Sequence, residues 1–166
     1  MKKLDDLLLL GDPRLYEVST PLTETDQAHI PEWVADLHNV MEEIRAKYQF
    51  GRGIAAPQLG IMKRLIYLNI DQPRVIINPQ LSELSAEQFP LWDDCMSFPN
   101  LLVKVKRHCS LTLHYLDEHF TPRTWKIDDP TIAELIQHEY DHLEGVLSTM
   151  RAIDAQSFRW RPTPIN

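Results

Sequence analysis

Cysteine is scarce, with 2 among 166 residues, too few for the disulfide framework of a small secreted scaffold. A reducing, cytoplasmic setting is expected instead. Long apolar runs are missing as well. Leu4 to Leu10 is interrupted by Asp5 and Asp6 and is too short for a signal peptide or a membrane span. Positive charge is in deficit: 17 Lys and Arg stand against 24 Asp and Glu, a net charge of -7. That balance argues against a phosphate-binding surface, and no nucleic-acid partner is expected. The one basic stretch, Lys104, Lys106 and Arg107, alternates with Val103, Val105 and Cys109 as the wet face of a strand would. Neither a Walker loop nor a dinucleotide fingerprint occurs, so no nucleotide cofactor is implied. Internal repeats and low-complexity linkers are also absent. An apolar content of 43% suffices for one core without covalent staples, so residues 1–166 are read as a single domain.

Within it, Trp33, Leu37, Val40, Met41, Ile44 and Tyr48 recur at helical spacing and predict a long first helix from about Pro31 to Tyr48. The middle of the chain reads as strands: Leu65 to Asn69, Val75 to Asn78, the region around Leu81 to Phe89, Leu102 to Tyr115, and Arg123 to Ile127. A second helix follows. Asp128 or Asp129 can cap it, Pro130 suits its first position, Ile132, Leu135, Ile136 and Leu143 supply an apolar stripe, and Gly145 stops it. The pattern is α+β: a long N-terminal helix and antiparallel or mixed sheets around a C-terminal helix. The tail, about 158–166 with Pro162 and Pro164, reads as irregular.

That second helix carries His138-Glu139-Tyr140-Asp141-His142. Positions i and i+4 share a helix face, so His138 and His142 can offer two imidazoles to one cation while Glu139 sits beside them as a general base. With 7 His and 11 Glu in 166 residues, a shuffled chain gives roughly 0.02 matches to this pentad. Catalytic sites of this kind take three protein ligands and leave a position open, so a third donor must come from elsewhere. Cys109 alternates with Val105, Arg107, Leu111 and Leu113 and reads as a small buried hydrophobe. Cys95 lies in the polar, non-repetitive segment from Trp92 to Pro99 and is the better ligand candidate. A third segment, Gly51-Arg52-Gly53-Ile54-Ala55-Ala56-Pro57-Gln58, lets backbone come close to something and ends on an amide that can donate a hydrogen bond.

Taken together, the three segments resemble peptide deformylase, a family with GxGxAAxQ, EGCLS and HExDH motifs in this order and at about this spacing. The resemblance runs from the Gly11-Asp12-Pro13-Arg14-Leu15 segment to Leu147. Gly51, Gly53, Ala55, Ala56 and Gln58 match the first motif, Cys95 and Ser97 the second, and His138, Glu139, Asp141 and His142 the third. It implies that Cys95, His138 and His142 hold one divalent metal, ferrous iron in most of the family, with zinc, nickel or cobalt as substitutes. It also implies removal of formyl from the N-terminal methionine of nascent chains, at the ribosome, by a monomer. Glu139 would move the proton, while the Gln58 amide and the Met96 backbone N–H would meet the developing oxyanion. Gly51, Arg52, Gly53, Asp93, Glu134 and Leu135 would border the substrate.

Several positions depart from the family pattern. Asp93 replaces a glutamate whose basic partner is expected at Arg107, and Asp94 replaces a glycine, which matters if that backbone needs a positive φ. Arg52 and Glu134 stand where apolar pocket residues are usual; either they pair across the pocket or Arg52 turns to solvent. The loop between Pro99 and Lys106 lacks an arginine and has Asn100, Leu101 and Leu102 in its place; in the family a basic residue near there helps orient the peptide backbone. Two other readings follow from these departures: an amidase for a different formylated substrate, and a non-catalytic metal-binding relative.

Overall fold

The apolar stripe of the first helix does what its spacing demands. In the computed structural model, which describes residues 1–162, helix α1 spans Ile30–Tyr48. Leu37, Val40, Met41 and Ile44 are completely buried along it. Pro31 sits in its first turn, and it closes on Gln49 in the left-handed conformation, whose N–H donates to the Arg45 carbonyl.

The surface it covers is a five-stranded antiparallel sheet built from β1 (Gly53–Ala55), β2 (Leu65–Asn69), β3 (Pro73–Ser82), β6 (Leu111–Leu116) and β7 (Pro122–Ile127), in the order β1-β2-β3-β6-β7. Alternation sorts the strand residues by face. Leu65, Tyr67 and Ile77 pack with the α1 stripe. Ile66, Leu68 and Ile76 point the other way, into a second cluster with Leu113, Ile136 and Leu143. β2 is covered on both faces, which is why its sequence reads as a continuous apolar run.

Leu143 and Ile136 belong to α2 (Pro130–Leu143), where Asp129 is the cap: its carboxylate accepts from Thr131 N–H at 2.8 Å. The helix is buried almost all round from Ala133 to Leu143, because a second sheet covers its other side. That sheet has the order β4-β5-β8, from β4 (Gln88–Asp94), β5 (Leu101–His108) and β8 (Phe158–Trp160).

Five expectations need correction. The run from Leu102 to Tyr115 is two strands in two different sheets, broken at Cys109 and Ser110. Cys109 is accordingly half-buried at a bend and not a core residue. The region around Leu81 to Phe89 is likewise the end of β3 and the start of β4, joined by a non-strand connection. Phe158–Trp160 is no irregular tail, since it pairs with Leu101–Val103 of β5; residues 163–166 of that tail lie outside the described residues. Finally, Lys104 and Lys106 do face solvent, but Arg107 is on the inner face and only 3% exposed.

Candidate metal centre

Two elements converge behind β1. Cys95 follows the last residue of β4 and opens a tight turn in which Phe98 N–H donates to its carbonyl at 3.1 Å. His138 and His142 lie one turn apart on α2, with ring centroids 5.0 Å apart. One donor atom from each of the three residues falls within 4.8 Å of the others, and all three side chains are buried. Cys95 Sγ is 3.3 Å from His142 Nε2. The other ring nitrogen of His138, Nδ1, is 2.9 Å from Asp93 Oδ2, which leaves Nε2 for the cluster and fixes the ring.

Asp93 is itself held. Arg107, buried beneath it, donates from Nη2 to Asp93 Oδ2 at 3.2 Å and from Nη1 to Asp141 Oδ2 at 2.6 Å. Arg151 donates to the other Asp141 oxygen at 2.7 Å. The expected pair between Asp93 and Arg107 is thus present, extended to a four-residue network under the centre. Asp94 is not in the left-handed region, so its replacement of glycine introduces no backbone strain.

The donor set fits a cation. A thiol and two imidazoles suit zinc and divalent iron, cobalt or nickel. Beside them Glu139 Oε2 is buried without a hydrogen-bond partner, a costly arrangement unless the group it faces compensates. Burial pushes the Cys95 thiol up. Burial and then the neighbouring His138 hold His142 well below the usual imidazole range, whereas at His138 the Asp93 carboxylate outweighs burial and holds it well above. Burial also raises Glu139 to about 7.

The remaining expected residues gather around the same place. Gln58 follows β1 in a short turn, and its Oε1 accepts from Ala55 N–H at 2.9 Å, so its amide is locked the right way round. Nε2 then donates to Ser97 Oγ at 3.1 Å and lies 3.7 Å from Cys95 Sγ. The N-terminal arm straps this arrangement: Leu8 N–H donates to the Gln58 carbonyl at 2.8 Å and Leu10 N–H to the Ser97 carbonyl at 2.9 Å. A cavity of about 310 Å³ opens onto the centre, lined by Gln58, Cys95, Met96, His138 and Glu139, and by all six residues expected to border a substrate: Gly51, Arg52, Gly53, Asp93, Glu134 and Leu135. Arg52 does not turn away. It forms an ion pair with Glu134 and donates to the Thr131 carbonyl at 2.9 Å.

Sequence reasoning missed four contributors. Ser97 was matched to a motif without a role, yet it receives the Gln58 amide. Arg151 completes the Asp141 network. Phe50 lines the cavity mouth, and Arg161 reaches it from the C-terminal strand, its guanidinium 4.1 Å from the ring centroid and its Nη2 donating to Asp94 Oδ2 at 2.8 Å. Arg161 also donates to the Pro99 carbonyl at 2.9 Å, so a cation does stand against the 99–106 segment, supplied from about 60 residues downstream in sequence.

Comparison with known proteins points to one family. The family model for polypeptide deformylase matches residues 4–158. A peptide deformylase of Treponema pallidum is 35% identical over 144 residues, covering 86% of this chain and 84% of the relative. One from Rhizobium meliloti is 35% identical over 147 residues, covering 85% and 80%. Among solved structures, the chain is similar to a Synechococcus elongatus peptide deformylase in complex with actinonin, with TM-score 0.83, 30% identity and 91% and 80% of the two chains covered. It is also similar to the enzyme from Thermotoga maritima, with TM-score 0.78, 29% identity and coverage of 89% and 97%.

Proposed function

The chain belongs to the polypeptide deformylase family, and from that premise we infer that it is a metal-dependent hydrolase removing the N-formyl group of nascent polypeptides. Cys95, His138 and His142 hold the cation, ferrous iron by preference, with Asp93 orienting His138 through Nδ1. A divalent cation bound there supplies Lewis-acid chemistry, acidifying water and polarising the formyl carbonyl.

The chain's own residues do the rest. Glu139, with an unpartnered oxygen beside the cluster, takes the proton from water as the new C–O bond forms and returns it to the amine nitrogen as the C–N bond breaks. The products are formate and a free N-terminus. Gln58 Nε2, fixed by the Ala55 N–H, and the backbone N–H of Met96 meet the charge that develops on the formyl oxygen. Gly51, Gly53 and Leu135 border the substrate's first residue. The enzyme acts as a monomer in the cytoplasm, on chains leaving the ribosome; the two unpaired cysteines suit a reducing setting.

The observation that carries the reading is the convergence of three donor atoms within 4.8 Å next to a buried carboxylate, Glu139, with Cys95, His138 and Glu139 lining one cavity. Formate release from formyl-Met-Ala-Ser, measured anaerobically with ferrous iron supplied, tests it. The native chain is expected to release formate, and Glu139→Gln to lose about 10²–10⁴ of the rate while keeping its metal. Stoichiometric metal with no formate from the native chain would leave a metal-binding relative without activity.

A further inference from the structure

One wall of the cavity is an ion pair, and its two halves are unequally placed. The Glu134 side chain is 9% exposed and the Arg52 side chain 41%. The carboxylate is therefore the inner end and the guanidinium the rim. Both line the cavity that also holds Cys95, His138 and Glu139, so a side chain on the first residue of a bound formyl peptide meets them next to the reacting bond. Arg52 is anchored twice, on Glu134 and on the Thr131 carbonyl, so it is part of the wall. Glu134 is engaged only through Oε1; its second oxygen accepts no hydrogen bond from a described residue. That oxygen keeps acceptor capacity toward a ligand.

Consider what this wall favours. An aliphatic or thioether side chain pressed against it strips water from an ion pair and returns no hydrogen bond. An anionic side chain finds Arg52 already paired with Glu134 and faces the Asp93 and Glu139 carboxylates. A cationic one finds Glu134 already neutralised by Arg52. A neutral donor such as an amide or hydroxyl satisfies the free acceptor at no electrostatic cost, while Leu135 still contacts its methylene stem. We propose that the Arg52–Glu134 pair is a specificity determinant that lets this deformylase accept an N-formyl residue with a neutral, hydrogen-bond-donating side chain about as well as formyl-methionine. The proposal rests on the deformylase reading.

Glutamine and methionine side chains are close in length, so formyl-Gln-Ala-Ser and formyl-Met-Ala-Ser form the test pair, with the iron-loaded native chain and the Arg52→Ile/Glu134→Ile double variant. The kcat/KM for the glutamine peptide is expected to lie within about threefold of that for the methionine peptide in the native chain, and the ratio to fall about tenfold or more in the double variant. Should the double variant not fold, Glu134→Leu serves, because Arg52 at the rim can swing to solvent; the ratio is again expected to fall, by about fivefold or more. A native preference for formyl-methionine above about a hundredfold, or a ratio indifferent to these substitutions, overturns the proposal. Release of no formate from either peptide instead overturns the deformylase reading. The affinities of the product tripeptides Gln-Ala-Ser and Met-Ala-Ser, by calorimetry, then decide the specificity claim without turnover: a methionine preference that the double variant leaves unchanged sinks it.

Discussion

A methyl group on Gly53 would stand 3.2 Å from Glu139 Oε1 and 2.7 Å from Leu68 Cδ2. The residue is glycine because a helix carboxylate and a sheet residue both approach its backbone, which seats Glu139 against β1. The same close fit governs Gln58. Its carbonyl oxygen is spent on Ala55 N–H, so the amide can donate only forward, to Ser97 or to a substrate that displaces it. Gln58→Ala removes this donor and leaves all three metal ligands in the chain. Turnover of formyl-Met-Ala-Ser is expected to drop about 10²–10³-fold, with metal content unchanged by elemental analysis. An unaltered rate would take Gln58 out of the chemistry. The motif residues that carry the site were legible in the sequence because each offers a chemistry at a fixed local spacing. Ser97, Arg151 and Arg161 were not, because a hydroxyl or a guanidinium acquires its role only from a partner that the fold brings near.

Secondary elements show the same divide. α2 could be read from its 3.6-residue stripe, its Asp129 cap and Pro130, all local signals. The break between β5 and β6 could not, because alternation of apolar and polar residues continues through Cys109 while the two strands part into different sheets. β8 is three residues long and ends two positions before Pro162, and its strand character comes wholly from pairing with β5. That short strand has a consequence. Arg161, the residue after it, links two residues that line the cavity, Phe50 through its guanidinium and Asp94 through an ion pair. Arg161→Ala is expected to raise KM about two- to fivefold, the reach of a part-exposed ion pair, with kcat nearly unchanged. A fall in kcat alone would contradict a role at the mouth.

The turn from β6 to β7 offers a pH test at the same scale. Burial pushes the Asp117 carboxyl up, but Arg123 and the backbone N–H groups of Thr121 and His119 outweigh it and hold the carboxyl below the usual range. A carboxyl depressed in the folded state adds stability above its unfolded pKa, and that stability is lost as pH falls through the folded value. Asp117→Asn should therefore destabilise the chain at neutral pH, with the difference shrinking to nothing in strong acid. Urea unfolding across pH checks it, and a pH-independent difference would show that the ionised form is not what matters.

At the scale of the whole molecule, the centre is a joint between two sheets that share no strand pairing among the described residues. Cys95 comes from the end of β4 in the three-stranded sheet, while His138 and His142 come from the helix that fills the space between that sheet and the five-stranded one. Asp93, Arg107, Asp141 and Arg151 form a second, ionic joint directly beneath. A cation gripped by both sides binds the folded chain and not the unfolded one, so it adds stability by mass action, about 2.7 kcal/mol at a hundred times Kd. For a chain of this size that corresponds to a rise in Tm of about 5–10 °C. Calorimetry of the chain with ferrous iron or zinc against the same sample in chelator is expected to show that rise, and Cys95→Ala to abolish it. Asp93→Ala should do both kinds of damage: lower the Tm even in chelator, because Arg107 keeps only Asp141 in a buried site, and weaken metal binding about 10–100-fold by freeing the His138 ring. If chelator leaves the native Tm where it was, the two sheets are joined without the cation, and the cluster of Cys95, His138 and His142 is not a site that metal binding stabilises.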